Sequence, residues 1–112
     1  MAEVMTVTKE NFDDVIANNR IVAIDFWASW CAPCKNFAPI LENAATRHSD
    51  VLFASVNVEE QTELANEFDI RSIPFLMILK DSTLIYAEPG ALSAAEFNDL
   101  IERAKVVAVD DK

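Results

Sequence analysis

The stretch that decides the fold runs Ile21-Val22-Ala23-Ile24-Asp25-Phe26-Trp27-Ala28-Ser29-Trp30-Cys31-Ala32-Pro33-Cys34. Its first seven residues are apolar but for one. That pattern predicts a strand buried on both faces, as in a sheet covered by helices on either side. The last four residues open a helix. Pro33 suits a first turn, where a missing N–H leaves no bond unmade. Behind it, Phe37, Ile40, Leu41 and Ala44 recur at helical spacing and give the helix one apolar stripe. Pro39 falls inside this helix and is expected to kink it.

Working outward, Val4 to Val7 is a short strand. Thr8 is placed to cap a helix carrying Phe12, Val15 and Ile16. Val51 to Val58 is a second buried strand, and Leu64, Ala65 and Phe68 mark a short helix over Glu60 to Phe68. Phe75 to Leu79 and Leu84 to Glu88 flank the turn residues Asp81-Ser82 and predict an antiparallel hairpin. Ser93-Ala94-Ala95-Glu96 has the form of a capping box before a last helix with Phe97, Leu100, Ile101 and Ala104 inward. Val106 to Val109 fits either an extension of that helix or a loose tail over 106–112. The order β-α-β-α-β-α-β-β-α predicts an α/β fold, its central sheet parallel in part, with helices on both faces.

The chain has 112 residues, which suits a single domain over 1–112. A domain of this size buries roughly two-thirds of its unfolded surface and needs no staple. Hydrophobic residues make up 52%, which excludes a disordered tail. Nine Lys and Arg against 19 Asp and Glu give a net charge of −10. Nucleic acid and anionic membranes both demand clustered positive charge, so neither is an expected partner. No apolar run reaches the roughly 20 residues that span a bilayer. The start, Met1-Ala2-Glu3-Val4, lacks the pattern of a secretory signal, so the expected location is a reducing cytoplasm.

In that compartment two cysteines point to catalysis or metal. Cys31 and Cys34 are the only two, spaced C-x-x-C between a strand and a helix. The thiolate is the nucleophile of thiol–disulfide exchange. A helix N-terminus favours an anion through its free N–H groups and partial positive charge. Cys31, at the helix start, reads as the exposed attacker, and Cys34, one turn in, as the more buried sulfur that resolves the mixed disulfide. Three plainer readings compete. Zinc needs four ligands, and the chain offers one histidine and no second cysteine pair. A structural disulfide across so short a loop would stabilise little. Inert core cysteines fit poorly beside Pro33.

Asp25 is the other anomaly. Desolvation penalises a carboxylate inside an apolar strand. Burial raises an acid from about 3.9 by 3 to 5 units, to about 7 to 9, where it can accept protons at neutral pH. The competing reading is an idle carboxylate on an exposed strand end. Lys35 and Arg71 either aid the thiolate or are simply solvated. His48 reads as a surface residue near a helix end, and Glu59, Glu60, Glu63 and Glu67 as a solvated helix face.

The segment Asp25-Phe26-Trp27-Ala28-Ser29-Trp30-Cys31-Ala32-Pro33-Cys34-Lys35 resembles the active-site segment of the thioredoxin family. Pro39, Val56-Asn57-Val58, Arg71-Ser72-Ile73-Pro74 and Gly90-Ala91 extend the resemblance, in order, over nearly the whole chain. It implies the thioredoxin fold, a central mixed five-stranded sheet flanked by four helices. It implies a protein disulfide reductase acting on disulfide-containing proteins; a monomer is the default expectation. A thioredoxin reductase would recharge it with electrons from NADPH. The Cys31–Cys34 disulfide would be its redox group, with no bound cofactor or metal. Cys31 would attack, Cys34 resolve, and Asp25 exchange a proton with Cys34. Pro74 would be cis and face the cysteines. Ile73 would pair with substrate backbone, a strand-addition mode. Trp30, Ala32, Pro33 and Gly90 would border the substrate, with Trp27 packed beneath.

The sequence departs from the family pattern at four places. Ala32 stands for glycine between the cysteines. Phe75 replaces a threonine and is expected beside the substrate groove. Ser55 replaces a lysine near Asp25, and Asp81-Ser82-Thr83 lacks a turn glycine. Two other readings stay open: a non-catalytic adaptor using the same groove, which Phe75 would favour, and a thiol oxidant or isomerase.

Overall fold

A computed structural model of the protein describes residues 4–109. Five strands and four helices alternate: β1 (Met5–Thr6), α1 (Phe12–Asn18), β2 (Ile21–Trp27), α2 (Ala32–Arg47), β3 (Leu52–Asn57), α3 (Thr62–Glu67), β4 (Phe75–Lys80), β5 (Thr83–Pro89) and α4 (Ala94–Val106). The sheet order is β1-β3-β2-β4-β5. β3 runs parallel to β1 and β2, while β4 is antiparallel to β2 and β5 to β4. The predicted mixed sheet is thus present, with β2 at its centre.

Successive side chains of a strand point to opposite faces, and β2 divides accordingly. Ile21 and Ala23 join Phe37, Leu41, Phe53, Phe97 and Ile101 under α2 and α4. Val22, Ile24 and Phe26 join Val15, Ile16, Leu64 and Met77 under α1 and α3. Asp25 therefore belongs to the α2 face. Phe97 meets Phe37 edge-on at 5.1 Å and Phe53 at 6.0 Å between ring centres. Such pairs add about 0.5–1.5 kcal/mol each beyond area burial. They fix α2, and so its N-terminus, against the sheet.

The element ends correct three expectations. The cap of α1 is Asn11, not Thr8. Thr8 and Asn11 instead close the preceding turn reciprocally. The Thr8 N–H donates to Asn11 Oδ1 at 2.8 Å, and the Asn11 N–H donates to Thr8 Oγ1 at 3.3 Å. The helix starts only after that turn is complete. α3 begins at Thr62, so Glu59 and Glu60 lie in the turn before it. β4 extends to Lys80, which is 2% exposed. Its ammonium donates to the carbonyls of Ala104, Lys105 and Val107 at 2.8–2.9 Å. It thereby occupies the negative end of the α4 dipole.

The Ser93–Glu96 capping box is formed in both directions. Val106 closes α4, Val107 caps it in extended conformation, and the tail reading beyond 109 lies outside the described residues. The hairpin turns through Asp81 and Ser82, both left-handed with φ of 51° and 64°, between the paired Lys80 and Thr83.

Candidate active site

The Cys-Ala-Pro-Cys segment sits where β2 passes into α2. Cys31 is the N-cap of α2, Ala32 and Pro33 open its first turn, and Cys34 follows. The cysteines are joined by a disulfide, their Cα atoms 5.3 Å apart. The Cys34 N–H donates to Cys31 Sγ at 3.2 Å. The sulfur thus takes the place that a Ser or Asp oxygen takes in an ordinary N-cap. The same N–H groups would hold it when it carries a thiolate's charge. Ala32 is absent from the few non-glycine residues with positive φ, so its backbone does not call for glycine.

Cys31 is not the exposed partner. It is 4% exposed against 3% for Cys34. The loop Arg71–Pro74 covers it, bringing the Ile73 carbonyl within 3.8 Å of Cys31 Sγ. Ile73, Trp27 and Val58 pack around both cysteines and Ala28. The Ile73–Pro74 peptide is cis. The Gly90 N–H donates to the Pro74 carbonyl at 2.8 Å, which ties the Gly90 loop to the Pro74 loop. Gly90 has φ of +112°, a conformation other residues rarely adopt. Trp30 projects from the rim and is 68% exposed. Ala32 and Pro33 are exposed beside it, whereas Trp27 is half-buried beneath. Pro39 is exposed on α2, which runs through it to Arg47.

Asp25 is 3% exposed, which removes the idle surface reading. Burial pushes its carboxyl up from 3.8 to about 7. Its Oδ1 has no hydrogen-bond partner among the described residues. Asp25 shares a cavity of about 290 Å³ with Cys34, Trp27, Ala38, Leu41 and Ser55. Ser55 is its register partner on β3. Thus Asp25 and the inner cysteine face one shared space between β2, β3 and α2.

Three other residues lie elsewhere than expected. Phe75 packs edge-on against Phe26, 6.2 Å between ring centres, and joins the α1 and α3 core rather than the groove. The feature that favoured an adaptor is therefore a core contact. His48 is buried, 5% exposed, because α4 lies over it. Its Nε2 pairs with Asn98 Oδ1 at 2.8 Å and its Nδ1 with Lys105 Nζ at 2.9 Å. Glu59 is not an idle member of an acidic face. One carboxylate oxygen accepts from the Ser29 N–H at 3.2 Å and the Ser29 hydroxyl at 3.0 Å, latching the segment before Trp30.

That latch escaped the sequence reading because the pair lies 30 residues apart, with no local signature. The cavity wall had one: Cys34, Ala38, Leu41 and Glu42 recur at offsets of four, seven and eight, a single helical stripe. Among the described residues no three His, Cys, Asp or Glu side chains come together as a metal site.

A family model described as Thioredoxin matches residues 3–103. The chain is similar to the putative thioredoxin 2 of Streptomyces coelicolor, 45% identical over 99% of this chain and 83% of that one. It is 39% identical to the thioredoxin of Alicyclobacillus acidocaldarius, over 88% of this chain and 98% of that one. Among solved structures, a Plasmodium falciparum thioredoxin superimposes with a TM-score of 0.83 at 33% identity, covering 89% and 98% of the two chains. A mutant thioredoxin from Halobacterium salinarum gives 0.87 at 30% identity, covering 96% and 95%. The overall fold is thus shared with these solved thioredoxins. The chain belongs to the thioredoxin family, oxidoreductases that reduce disulfides by thiol–disulfide exchange.

Proposed function

We propose that the protein is a single-domain, general reductase of protein disulfides, with Cys31 as nucleophile, Cys34 as resolving thiol and Asp25 as its proton acceptor. The carrying observation is the disulfide at the N-terminus of α2, in one cavity system with Asp25 and against the Ile73–Pro74 loop. In the reduced protein the Cys31 thiolate attacks one sulfur of a substrate disulfide, and the other sulfur leaves with the bonding pair. A Cys31–substrate mixed disulfide results. Asp25 takes the proton of the Cys34 thiol, and the Cys34 thiolate attacks Cys31 Sγ. The substrate leaves as a dithiol once both of its thiolates have taken up protons, one of them the proton that Asp25 received, and the protein is left as the disulfide described above.

Recognition draws on the exposed Trp30, Ala32 and Pro33 rim and on the Ile73, Pro74 and Gly90 backbone, where an extended substrate segment can add alongside. Cys31 lies against the Ile73 carbonyl, so a segment added along this loop would bring its disulfide to the sulfur. Two electrons from NADPH, delivered through a thioredoxin reductase, would restore the dithiol. A cytoplasmic location, where thiols are kept reduced, is proposed with it, as is a monomeric state.

The test is reduction of insulin disulfides driven by dithiothreitol. The intact protein should accelerate it, Cys31→Ser should abolish the effect, and reduced Cys34→Ser, mixed with insulin in the absence of dithiothreitol, should accumulate a mixed disulfide visible by mass. Full activity in Cys31→Ser would overturn the assignment. The reduction potential separates a reductase from an oxidant or isomerase. Thioredoxin's own reference value is about −270 mV, against about −120 to −180 mV for oxidants and isomerases.

A further inference from the structure

We propose that the cavity beneath the disulfide is a binding site for a small organic cation, a primary ammonium or amidinium with a short apolar body, anchored on Asp25. Three observations carry this. The anchor is a carboxylate 3% exposed, with Oδ1 unpartnered. None of the ion pairs among the described residues involves it. The cavity, about 290 Å³, is large against the roughly 30 Å³ that one water occupies in the liquid. It therefore admits an organic molecule and not merely solvent.

The walls choose the chemistry. Val4, Trp27, Ala38 and Leu41 offer an apolar lining to a carbon body. An ammonium carries three donors and no acceptor. Asp25 and its register partner Ser55 supply acceptors on one side of the space. A metal ion would find too few ligands, since among the described residues no three His, Cys, Asp or Glu side chains come together to hold one. An anion would meet the buried carboxylate. At the exposed rim Lys35 and Glu42 carry opposite charges, so the mouth does not repel a cation. A charged pair formed inside is screened by salt far less than one at the surface.

Occupancy would put the cation between Asp25 and solvent and slow the resolving step. That consequence alone rests on the proton-transfer reading; the binding itself does not. The experiment therefore uses the oxidised protein, which does not turn over. n-Butylammonium chloride is titrated at pH 8 and constant ionic strength, followed by backbone amide shifts. Expected are saturable shifts at Asp25, Cys34, Ala38 and Ser55. Binding should be at least tenfold weaker for n-butanol, for Asp25→Asn, and for Ala38→Leu, which narrows the cavity without touching the charge. Equal binding by n-butanol or Asp25→Asn would overturn the site. So would non-saturating shifts spread over Glu59, Glu60, Glu63 and Glu67, the signature of a cation atmosphere around a chain of net charge −10.

Discussion

Replacing Asp25 by Asn should stabilise the oxidised protein, by an amount that grows with pH. Burial holds the Asp25 carboxyl at about 7, against 3.8 when it is free in water. The folded state therefore keeps a proton that the unfolded state has lost over that interval. Stability falls wherever the folded state binds more protons, at about 1.4 kcal/mol per pH unit for one group. The loss starts as pH rises past 3.8 and levels off above 7. Over roughly three units the total is about 4 kcal/mol. An Asn keeps the shape and polarity of the protonated acid but has no ionisation to suppress. The two proteins should be nearly equal at pH 3 and diverge to about 4 kcal/mol by pH 9.

Urea unfolding of both proteins, disulfide intact so that no thiol titrates, measures this directly. With a slope near 2 kcal/mol/M, the midpoint of the variant should lie about 2 M higher at pH 9. A difference between the proteins that stays flat from pH 4 to 9 would refute the reasoning. It would mean that solvent in the cavity hydrates the carboxylate well enough to cancel its burial.

Lys80→Met should cost about 2–3 kcal/mol in urea unfolding, because three carbonyls at the end of α4 lose one shared donor. Insulin reduction at 25 °C should not change, since Lys80 ends β4 and the Pro74 loop precedes its start. Ser82→Gly should stabilise by about 1 kcal/mol, read as a higher urea midpoint, by relieving a side chain held at φ of 64°. Glu59→Ala should raise hydrogen exchange at the Ser29 amide by up to about tenfold, the equivalent of one lost hydrogen bond.

Much of this was legible in the chain itself. The apolar run Ile21–Trp27 is β2 residue for residue, and the Ser93–Glu96 box starts α4 where its spacing says. Both depend on neighbours a few residues away, which a sequence displays. What stayed hidden depends on distant partners. Cys31 looks exposed until the loop at Ile73, 42 residues on, is folded against it. His48 looks like a surface residue until α4 brings Asn98 and Lys105 to its two nitrogens. Lys80 lies just past the apolar run Phe75–Leu79, yet it stays in the sheet because the end of α4 receives its ammonium. Phe75 next to Pro74 suggests a groove residue, but strand alternation turns its ring to Phe26.

Asp25 is the residue on which stability and chemistry disagree. β2 is paired on one side with β3 and on the other with β4, and helices cover both sheet faces. The carboxyl cannot swing out to water by a local change, and its path to solvent is the cavity it shares with Cys34. A penalty of about 4 kcal/mol is a large share of the 5–15 kcal/mol that holds a typical domain together. No packing argument selects an acid there, because an apolar residue would fill the space and remove the penalty. The proton acceptor proposed above for Cys34 would select one, and only if it stays buried. Exposure would return its pKa toward 3.8 and leave it too weak a base for a thiol. The desolvation that weakens the fold is the same physical cause that would fit the carboxylate to that proposed task.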